Sequence, residues 1–476
     1  MRHNANKGSS FNMIRFSRHY IPAHLILLLA LEIGVLLAAM YLGVSVRFFE
    51  EGATPPASFG PLLPKAALFT LVMLLIMTAF GMYDGGWMSG ARAVLLRIAA
   101  SFLTGFVVMS QLFYLFPDLL LGRGVFLFSL AFALIGIIAT RFVFLRWSDH
   151  ASFKKRVMVL GTGSRAAKVE HFIHTVPGAR SINVLGYLPL QGSHHYVEHT
   201  RLLHEDTSLS AIAYKYNIDE IVIAVRDRRD GGLPVAELLE CKLRGISVIE
   251  LSSFFERENG QLQIESLNAS WIILSEGFKQ GLARDTVKRI FDLLVSLFMM
   301  APTLPIMLVA ALAIYLESGG PVLYRQERVG QHNQPFTIFK FRSMRCDAEK
   351  DGKPRWAGKN DDRTTRVGRF IRRVRIDELP QLFNVFMGQM SFVGPRPERP
   401  FFVDELSKQI PYYNSRHIVK PGITGWAQVR YAYGASVEDA IEKLQYDLYY
   451  VKNHTLFLDF MVLFQTIQVV LWGKGQ

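Results

Sequence analysis

The sequence predicts a membrane-associated protein of mixed α and α/β class. Its expected parts are a four-helix transmembrane bundle, a Rossmann-like parallel α/β domain and a mainly helical C-terminal domain with a re-entrant membrane helix. Three observations support this: four apolar segments precede residue 150, strand-like runs alternate with helix-like stretches from about 153 to 270, and a fifth apolar stretch contains two prolines. We place the domain boundaries at 1–150, 151–275 and 283–476, and the re-entrant helix at 288–317.

Composition and charge narrow the class of partner. Of the 476 residues, 50% are hydrophobic, and the formal net charge is +13. A basic surplus is typical of proteins that bind nucleic acid, anionic lipid headgroups or phosphorylated substrates. Because apolar segments occur in the same chain, we expect lipid and phosphorylated substrates and no nucleic acid. The two cysteines, Cys241 and Cys346, show no metal-ligand spacing and no disulfide framework.

The first four apolar segments lie at about 22–46, 64–82, 96–116 and 124–145. Each is long enough, or nearly so, to cross about 30 Å of hydrocarbon as a helix. The balance of basic residues at their ends places the N-terminus and everything after residue 147 in the cytoplasm. The alternative is that one segment, such as the short second one, is a buried core helix.

The next part reads as alternating strands and helices. Strands are expected at 156–162, 181–188, 219–225 and 246–251, with helices near 165–175, 207–216 and 233–244. Gly161 and Gly163 begin a G-x-G-x-x-A turn that is typical of phosphate-binding loops, so both are candidate nucleotide-binding residues. However, the acidic residue expected about 20 positions later is missing. The turn is therefore either a nucleotide site or a structural βα turn.

A fifth apolar stretch runs from about Ile290 to Leu316 and contains Pro302 and Pro305. Proline removes a backbone donor and kinks a helix. Basic residues flank both ends of the stretch, which favours a helix that enters and leaves on one face over a full crossing. The apolar segment 456–472 is expected to be a helix, either at the membrane surface or packed on the domain.

The adjacent carboxylates Asp377 and Glu378 are the strongest candidates for chemistry. Arg372, Arg373 and Arg375 precede them, and Pro380 predicts a helix that begins just after them. A carboxylate beside cations and a helix N-terminus is held ionised. It can then attack phosphorus or bind a divalent metal ion. The alternative is a helix cap with solvated ion pairs.

Three neighbouring clusters favour the functional interpretation. A Gly-Pro turn presents Arg396, whose guanidinium is suited to phosphate. A Gly-rich turn at 421–428 offers backbone donors and Trp426 to a nucleotide. Lys340 and Arg342 form a basic pair that we expect to bind substrate.

The region from about 284 to 476 resembles the bacterial sugar transferase family, the monotopic polyprenyl-phosphate phosphoglycosyl transferases. The matching pieces are KRIFDLLVSL, GPVLYRQERVG, FKFRSM, RIDELPQLFNVFMGQMSFVGPRP, KPGITGWAQV and YDLYYVKN. The preceding apolar segments and Rossmann-like part resemble the large members, which initiate exopolysaccharide, capsule or related glycans. The resemblance implies a multi-pass protein of the bacterial inner membrane, with its catalytic domain on the cytoplasmic face.

The resemblance also implies a two-step reaction. Asp377 attacks the β-phosphate of a UDP-sugar and releases UMP, and polyprenyl phosphate, expected to be undecaprenyl phosphate, then takes the phosphosugar. Glu378 is expected to position Mg²⁺ or handle protons, so both carboxylates are candidate metal ligands. Arg372 and Arg396 match positions that contact nucleotide or phosphate. Downstream glycosyltransferases and a second copy of the chain are further expected partners.

Two departures from the family pattern stand out. Leu304-Pro305 replaces a Ser-Pro pair at the helix break, and Arg430 replaces an arginine that relatives carry two positions later. The sugar stays open between a hexose and an N-acetylhexosamine. Two other functions remain: an NAD-linked enzyme that modifies sugar nucleotides, and a membrane scaffold in which the carboxylates only cap a helix.

Overall fold

The computed structural model describes residues 13–16, 19–49, 59–83, 91–148, 154–175, 182–190, 196–197, 202–203, 207–225, 233–264, 277–278, 281–346, 363–431, 434 and 436–471. These residues form two compact units, with the boundary between Glu258 and Asn259. His19 belongs with the second unit, although residues of the first unit lie on both sides of it in the sequence. The division of the chain into three domains remains a prediction.

The first unit contains the short strand β1 (Met13–Phe16), the residues of strand β2 (His19–Pro22) that follow His19, and four apolar helices. These are α1 (Ala23–Arg47), α2 (Leu62–Ala79), α3 (Ala91–Leu115) and α4 (Arg123–Ser148). All four predicted apolar segments are therefore helical. Among the described residues, five helices are long and apolar enough to cross a membrane, these four and a later one. Their orientation across a bilayer remains a prediction.

Helices α1 and α4 approach closely because of small residues. A Cβ on Gly43 would overlap Ser129, and one on Gly136 would overlap Val35. This close contact is the usual means by which apolar helices associate without a hydrophobic driving force. Leu36, from α1, belongs to a buried apolar cluster to which α2, α3 and α4 also contribute.

A buried ion pair connects α1, α4 and the residues that follow α2. Arg141 of α4 donates from Nε and Nη2 to the two carboxylate oxygens of Glu32 on α1, at 2.5 and 3.1 Å, and from Nη1 to the carbonyl of Met82. The Tyr83 hydroxyl also donates to Glu32. Glu32 and Arg141 are at most 2% exposed. Each charge is stabilised by the other because neither reaches water.

The predicted Rossmann-like sheet is confirmed as a parallel α/β element. Strands β3 (Lys155–Leu160), β4 (Ile182–Leu188), β5 (Glu220–Ile223) and β6 (Ser247–Glu250) are hydrogen-bonded in the order β4-β3-β5-β6, with every pair parallel. The helices of this part are α5 (Ser164–Thr175), α6 (Leu209–Lys215), α7 (Val235–Leu243) and α8 (Leu251–Asn259). Gly161 follows β3 with a φ of 112°, a conformation that a side chain would strain.

The second unit contains the remaining elements. Its strands are β7 (Leu323–Val329), β8 (Pro335–Phe341), β9 (Ser391–Val393) and β10 (Gly422–Thr424). Its helices are α9 (Leu282–Ser318), α10 (Arg366–Arg373), α11 (Gln381–Met387), α12 (Pro400–Gln409), α13 (Trp426–Arg430), α14 (Val437–Asn453) and α15 (Leu456–Leu471). Strands β7 and β8 form an antiparallel hairpin, and β9 and β10 are parallel. This unit is mainly helical, as predicted.

Helix α9 continues through both Pro302 and Pro305. One side of it is buried against the second unit, from Asp292 to Ile314. Leu297, Leu308 and other large apolar side chains on the helix are exposed. Helix α15 packs on the second unit through Leu458 and Val462, which are fully buried, whereas Phe460 is exposed. Contact of this helix with a membrane surface remains a prediction.

We predict that the Glu32–Arg141 pair is a main support of the four-helix part. In Glu32→Ala, Arg141 stays buried without a counter-charge, and we expect the free energy of unfolding to fall by about 3–5 kcal/mol. Thermal unfolding of the full chain in detergent measures this. Glu240→Ala, which breaks the exposed ion pair with Arg244, should leave stability nearly unchanged, because water screens this pair. Equal stability of the two variants would contradict the prediction.

Candidate active site

Close backbone contact brings two predicted motifs together. Strand β9 leads into Gly394, and β10 begins at Gly422. A Cβ on Gly394 would overlap the Lys420 carbonyl, and one on Gly422 or Gly425 would overlap the backbone of Gly394. Only glycine allows this approach. The Gly-Pro turn and the Gly-rich turn therefore form one rigid structure.

The backbone that carries Arg396 is held at successive carbonyl groups. Five carbonyls between residues 393 and 398 accept hydrogen bonds: Val393 from the Tyr450 hydroxyl, Pro395 from the Gly422 N–H, Arg396 from Arg416 Nη2, Pro397 from Arg328 Nη1 and Glu398 from the Val329 N–H, all at 2.9–3.0 Å. This segment thus has little freedom to move. The Arg396 side chain projects from a fixed position.

A tight turn places the two carboxylates. Helix α10 ends at Arg373, and Arg375 adopts a left-handed conformation with a φ of 60°. This conformation is uncommon for a residue with a side chain and marks a strained turn. A 3₁₀ turn at Ile376–Glu378 follows, and α11 begins at Gln381 after Pro380. The carboxylates lie just before a helix, as predicted.

Glu378 is surrounded by cations. Its Oε1 atom lies 3.1 Å from Lys340 Nζ, 3.3 Å from Arg396 Nη2 and 3.9 Å from Arg375 Nη1. Burial opposes ionisation of Glu378, but Lys340 and Arg396 outweigh it and hold the pKa of this carboxyl well below its usual range. Burial also lowers the pKa of the Lys340 ammonium, although Glu378 acts in the opposite direction. Glu378 is therefore ionised at neutral pH and has several cationic partners.

Asp377 has a different environment. It is 8% exposed, and its buried Oδ1 atom has no hydrogen-bond partner among the described residues. Burial and the adjacent charge of Glu378 raise the pKa of Asp377 to about 6. Its carboxylate oxygen is thus poorly solvated and available, which suits a nucleophile or a metal ligand.

A cavity of about 1160 Å³ opens beside the carboxylates. Its basic lining includes Arg328, Lys340, Arg345, Arg363, Arg372, Arg373, Arg375, Arg396, Arg399, Arg416 and Lys443. Its apolar lining includes Met299 of α9, Phe392, Ile423 and Val469. One cavity therefore offers cations for phosphate groups and an apolar wall that includes the proline-containing helix.

A second buried ion pair lines the same cavity. Arg416 Nη2 lies 2.8 Å from Asp447 Oδ2, and Arg416 Nη1 donates to the Tyr413 hydroxyl. Burial raises the pKa of Asp447 to about 6, although Arg416 acts against this shift. Sequence reasoning missed Arg328, Arg416 and Asp447. Two signals could have found them: Arg328 and Asp447 lie within the family-like pieces GPVLYRQERVG and YDLYYVKN, and Asp447 is a carboxylate within an apolar run.

The structure brings most of the predicted site residues together. Lys340, Arg372 and Arg396 line the cavity with Asp377 and Glu378. Arg342 also lines it, but its guanidinium donates to the carbonyls of Ser318 and Gly319 and to the Ser318 hydroxyl. Its contacts therefore fix the end of α9, while its buried Nε atom has no hydrogen-bond partner among the described residues.

Two predicted residues of the Gly-rich turn lie elsewhere. Trp426 is 1% exposed and donates from Nε1 to the Gly260 carbonyl, so the prediction that it faces a ligand is wrong. Arg430 lies over the Trp426 ring, 4.3 Å from its centre, and is not among the residues that line the cavity. Gly161 and Gly163 lie in the other unit, in the turn between β3 and α5.

The carboxylates fit a magnesium ion in part. The described residues contain no group of three or more His, Cys, Asp and Glu side chains that could hold a metal ion. Mg²⁺, however, usually takes one or two carboxylates and completes its shell with water and substrate phosphates. The unpartnered Oδ1 atom of Asp377 suits this role. Oε1 of Glu378 is less suited, because cations already surround it.

Comparison with known proteins gives consistent results. The bacterial sugar transferase family matches residues 283–473. A UDP-N-acetylgalactosamine-undecaprenyl-phosphate N-acetylgalactosaminephosphotransferase of Aeromonas hydrophila is 40% identical over 289 residues, 61% of this chain and 66% of that protein. A UDP-glucose:undecaprenyl-phosphate glucose-1-phosphate transferase of Klebsiella pneumoniae is 37% identical, over 54% of this chain and 55% of that protein.

A further relative covers more of the chain. A UDP-glucose:undecaprenyl-phosphate glucose-1-phosphate transferase of Xanthomonas campestris pv. campestris is 31% identical over 356 residues, which is 72% of each protein. This alignment of 356 residues is longer than the whole second unit, Ser17–His19 and Asn259–Gln476, so the likeness extends beyond that unit. Together with the shared motifs, these matches show that the chain belongs to the bacterial sugar transferase family.

Proposed function

We propose that this protein transfers a phosphosugar from a UDP-sugar to undecaprenyl phosphate and so initiates assembly of an exopolysaccharide or related glycan. The observation that carries the proposal is the pairing of Asp377, whose buried Oδ1 atom has no partner among the described residues, with the cation-bound Glu378. The relatives act, by their names, on UDP-sugars and undecaprenyl phosphate. The adjoining apolar wall suits a lipid acceptor.

The first step forms a covalent intermediate. A carboxylate oxygen of Asp377 attacks the β-phosphorus of the UDP-sugar, and the bond from that phosphorus to the α–β bridging oxygen breaks. The electron pair leaves with the bridging oxygen, so the product is UMP and the phosphosugar remains on Asp377. A positioned nucleophile and nearby cations are the main requirements of phosphoryl transfer.

The second step regenerates the enzyme. A phosphate oxygen of undecaprenyl phosphate attacks the same phosphorus, and the bond to Asp377 breaks. The carboxylate is restored, and the product is an undecaprenyl diphosphate sugar. With both attacking groups ionised, neither step requires proton transfer.

The surrounding cations have distinct tasks in this scheme. Lys340 and Arg396 hold Glu378 ionised and face the position of the transferring phosphate. Arg372, which also lines the cavity, would bind the other phosphate group of the donor. Mg²⁺ held by Asp377, with Glu378 nearby, would neutralise diphosphate charge.

Helix α9 supports a re-entrant position in the cytoplasmic face of the inner membrane. Near its start, Arg289 donates to the carbonyl of Val385, and Asp292 accepts from Ser391. At its end, Glu317 accepts from the N–H groups of Arg366 and Val367. Both ends thus contact the same unit, whereas a full crossing would carry one end to the far side of the bilayer. Leu308 and similar exposed side chains would face lipid.

The nucleotide product distinguishes this function from its alternatives. Purified full-length protein is incubated with Mg²⁺, undecaprenyl phosphate and a panel of UDP-hexoses and UDP-N-acetylhexosamines. Release of UMP supports the proposal and names the sugar. Release of UDP would indicate simple glycosyl transfer, and no turnover would favour the scaffold. Downstream glycosyltransferases and a homodimer remain predictions.

We predict that Asp377→Asn stops the first step. The amide oxygen is a poor nucleophile, so UMP release should fall by about a thousandfold or more, and the covalent phosphosugar adduct should disappear. Mass spectrometry of the intact protein and UMP release measure the two effects. Asp404→Asn, at an exposed carboxylate on α12, serves as the control. An adduct on Asp377→Asn would refute the nucleophile assignment.

We also predict an acid limb in the pH profile. Asp377 attacks only when ionised, and its pKa is raised to about 6. The single-turnover rate of UMP release should therefore fall as the pH drops through about 6 and approach a plateau above it. Glu378→Gln removes the neighbouring negative charge, which lowers the pKa of Asp377 and moves the limb to lower pH. A limb that stays in place or moves to higher pH would contradict this assignment.

Finally, we predict that Arg416 acts through Arg396. Arg416→Lys keeps the positive charge beside Asp447. A lysine ammonium cannot, however, contact the Asp447 carboxylate, the Tyr413 hydroxyl and the Arg396 carbonyl with the geometry of the planar guanidinium. A displaced Arg396 should lower kcat by about ten- to hundredfold. Steady-state kinetics measure it, with the exposed Arg244→Lys as control. An unchanged kcat would show that the segment keeps its position without Arg416.

A further inference from the structure

Trp426 connects the core of the second unit to the wall of the cavity. It is the first residue of α13, and the next three residues, Ala427, Gln428 and Val429, all line the cavity. The Trp426 side chain itself is almost fully buried and is not among the residues that line the cavity. The position of this large ring therefore determines where that part of the wall lies.

One segment outside the family-matched residues 283–473 contacts this ring. His19 is 6% exposed, and its ring meets Trp426 edge-on, with centroids 5.6 Å apart and an angle of 83°. His19 Nδ1 lies 2.6 Å from the Tyr449 hydroxyl, and Tyr449 in turn stacks on Trp426. Edge-to-face and stacked contacts of this kind favour one ring orientation.

A second outside segment contacts the edge of the same ring. The carbonyl of Gly260 accepts from Trp426 Nε1 at 2.8 Å. Gly260 has a φ of 61°, and a Cβ there would lie 2.8 Å from the indole ring. Two residues further on, the Leu262 N–H donates to the carbonyl of Gln445, and Leu262 is buried in the core. This segment is thus part of the second unit.

The charge state of His19 does not complicate the packing. Burial and, to a smaller extent, Arg430 lower the pKa of His19 to about 3. The ring is therefore neutral at physiological pH. The His19 ring therefore acts through its shape and one hydrogen bond, and its contact with Trp426 does not change over the physiological pH range.

We propose that His19, although it precedes the first apolar helix, is a positioning residue for the cavity wall formed by Ala427, Gln428 and Val429. The proposal rests on the proposed function, because it assigns the wall to binding of the donor. The catalytic core then comprises more than residues 283–473: it includes His19 and the segment from Asn259 to Ile264. Loss of the His19 ring leaves space beside Trp426, so α13 shifts and the donor binds less well.

The test compares full-length variants in detergent. In His19→Ala we expect KM for the UDP-sugar to rise by about three- to tenfold, the equivalent of one lost aromatic contact, with kcat little changed. His19→Phe retains a ring against Trp426 and should restore most of the affinity. His171→Ala, at an exposed histidine of α5, is the matched control and should behave as wild type.

A second readout does not depend on activity. Amide hydrogen exchange at residues 426–431 should be faster in His19→Ala than in wild type or His171→Ala, because α13 loses a packing partner. If the wild type releases no UMP from any UDP-sugar, the proposed function fails, and the exchange data still test the positioning role. Faster exchange confined to these residues then supports it.

Two outcomes would overturn the proposal. One is an unchanged KM and unchanged exchange at residues 426–431 in His19→Ala. The other is a loss of activity that is explained entirely by a smaller fraction of active enzyme. That fraction is measured as the UMP released per enzyme in the first turnover. Should His19→Ala not fold, His19→Leu removes the ring that meets Trp426 but keeps an apolar side chain in part of its space. A raised KM in that variant supports the proposal, and an unchanged KM refutes it.

Discussion

The electrostatic balance around Glu378 is the constraint on which the site depends. A buried carboxylate is costly unless cations and hydrogen-bond donors compensate it. Lys340 and Arg396 supply most of this compensation, and Arg375 adds to it at a longer distance. These cations come from a β-hairpin, a Gly-Pro turn and the end of a helical segment. The ionised Glu378 therefore requires the fold of the second unit to be complete.

The asymmetry of the two carboxylates follows from this balance. The cations contact Glu378, whereas Asp377 is buried and lies next to the negative charge of Glu378. One group is thereby held as a stable anion, and the other has a raised pKa and an oxygen without a partner among the described residues. Adjacent groups with opposite pKa shifts are a common property of catalytic sites. In the proposed reaction, this difference separates the nucleophile from the group that organises the cations.

Backbone contacts give the site its rigidity. Glycines at 394, 422 and 425 let two turns touch, and polar groups bind the carbonyls from Val393 to Glu398. Trp426 is also held in place, by the rings of His19 and Tyr449 and by the carbonyl of Gly260. These backbone and ring contacts involve none of the reacting groups, but they restrict where the reacting groups lie. The proposed transfer between a soluble donor and a lipid acceptor needs such fixed geometry on one wall.

Much of this architecture was determined by local sequence. Apolar segment length predicted the helices α1 to α4, alternating apolar runs predicted the strands of the parallel sheet, and Pro380 predicted the helix after the carboxylates, because each depends on residues close together in the chain. Tertiary structure decided which charges meet. Arg342 is turned toward the end of α9, Trp426 is buried, and Arg416 pairs with Asp447. His19 joins a unit that begins 240 residues later. No local pattern encodes these contacts, since they arise from packing between distant segments.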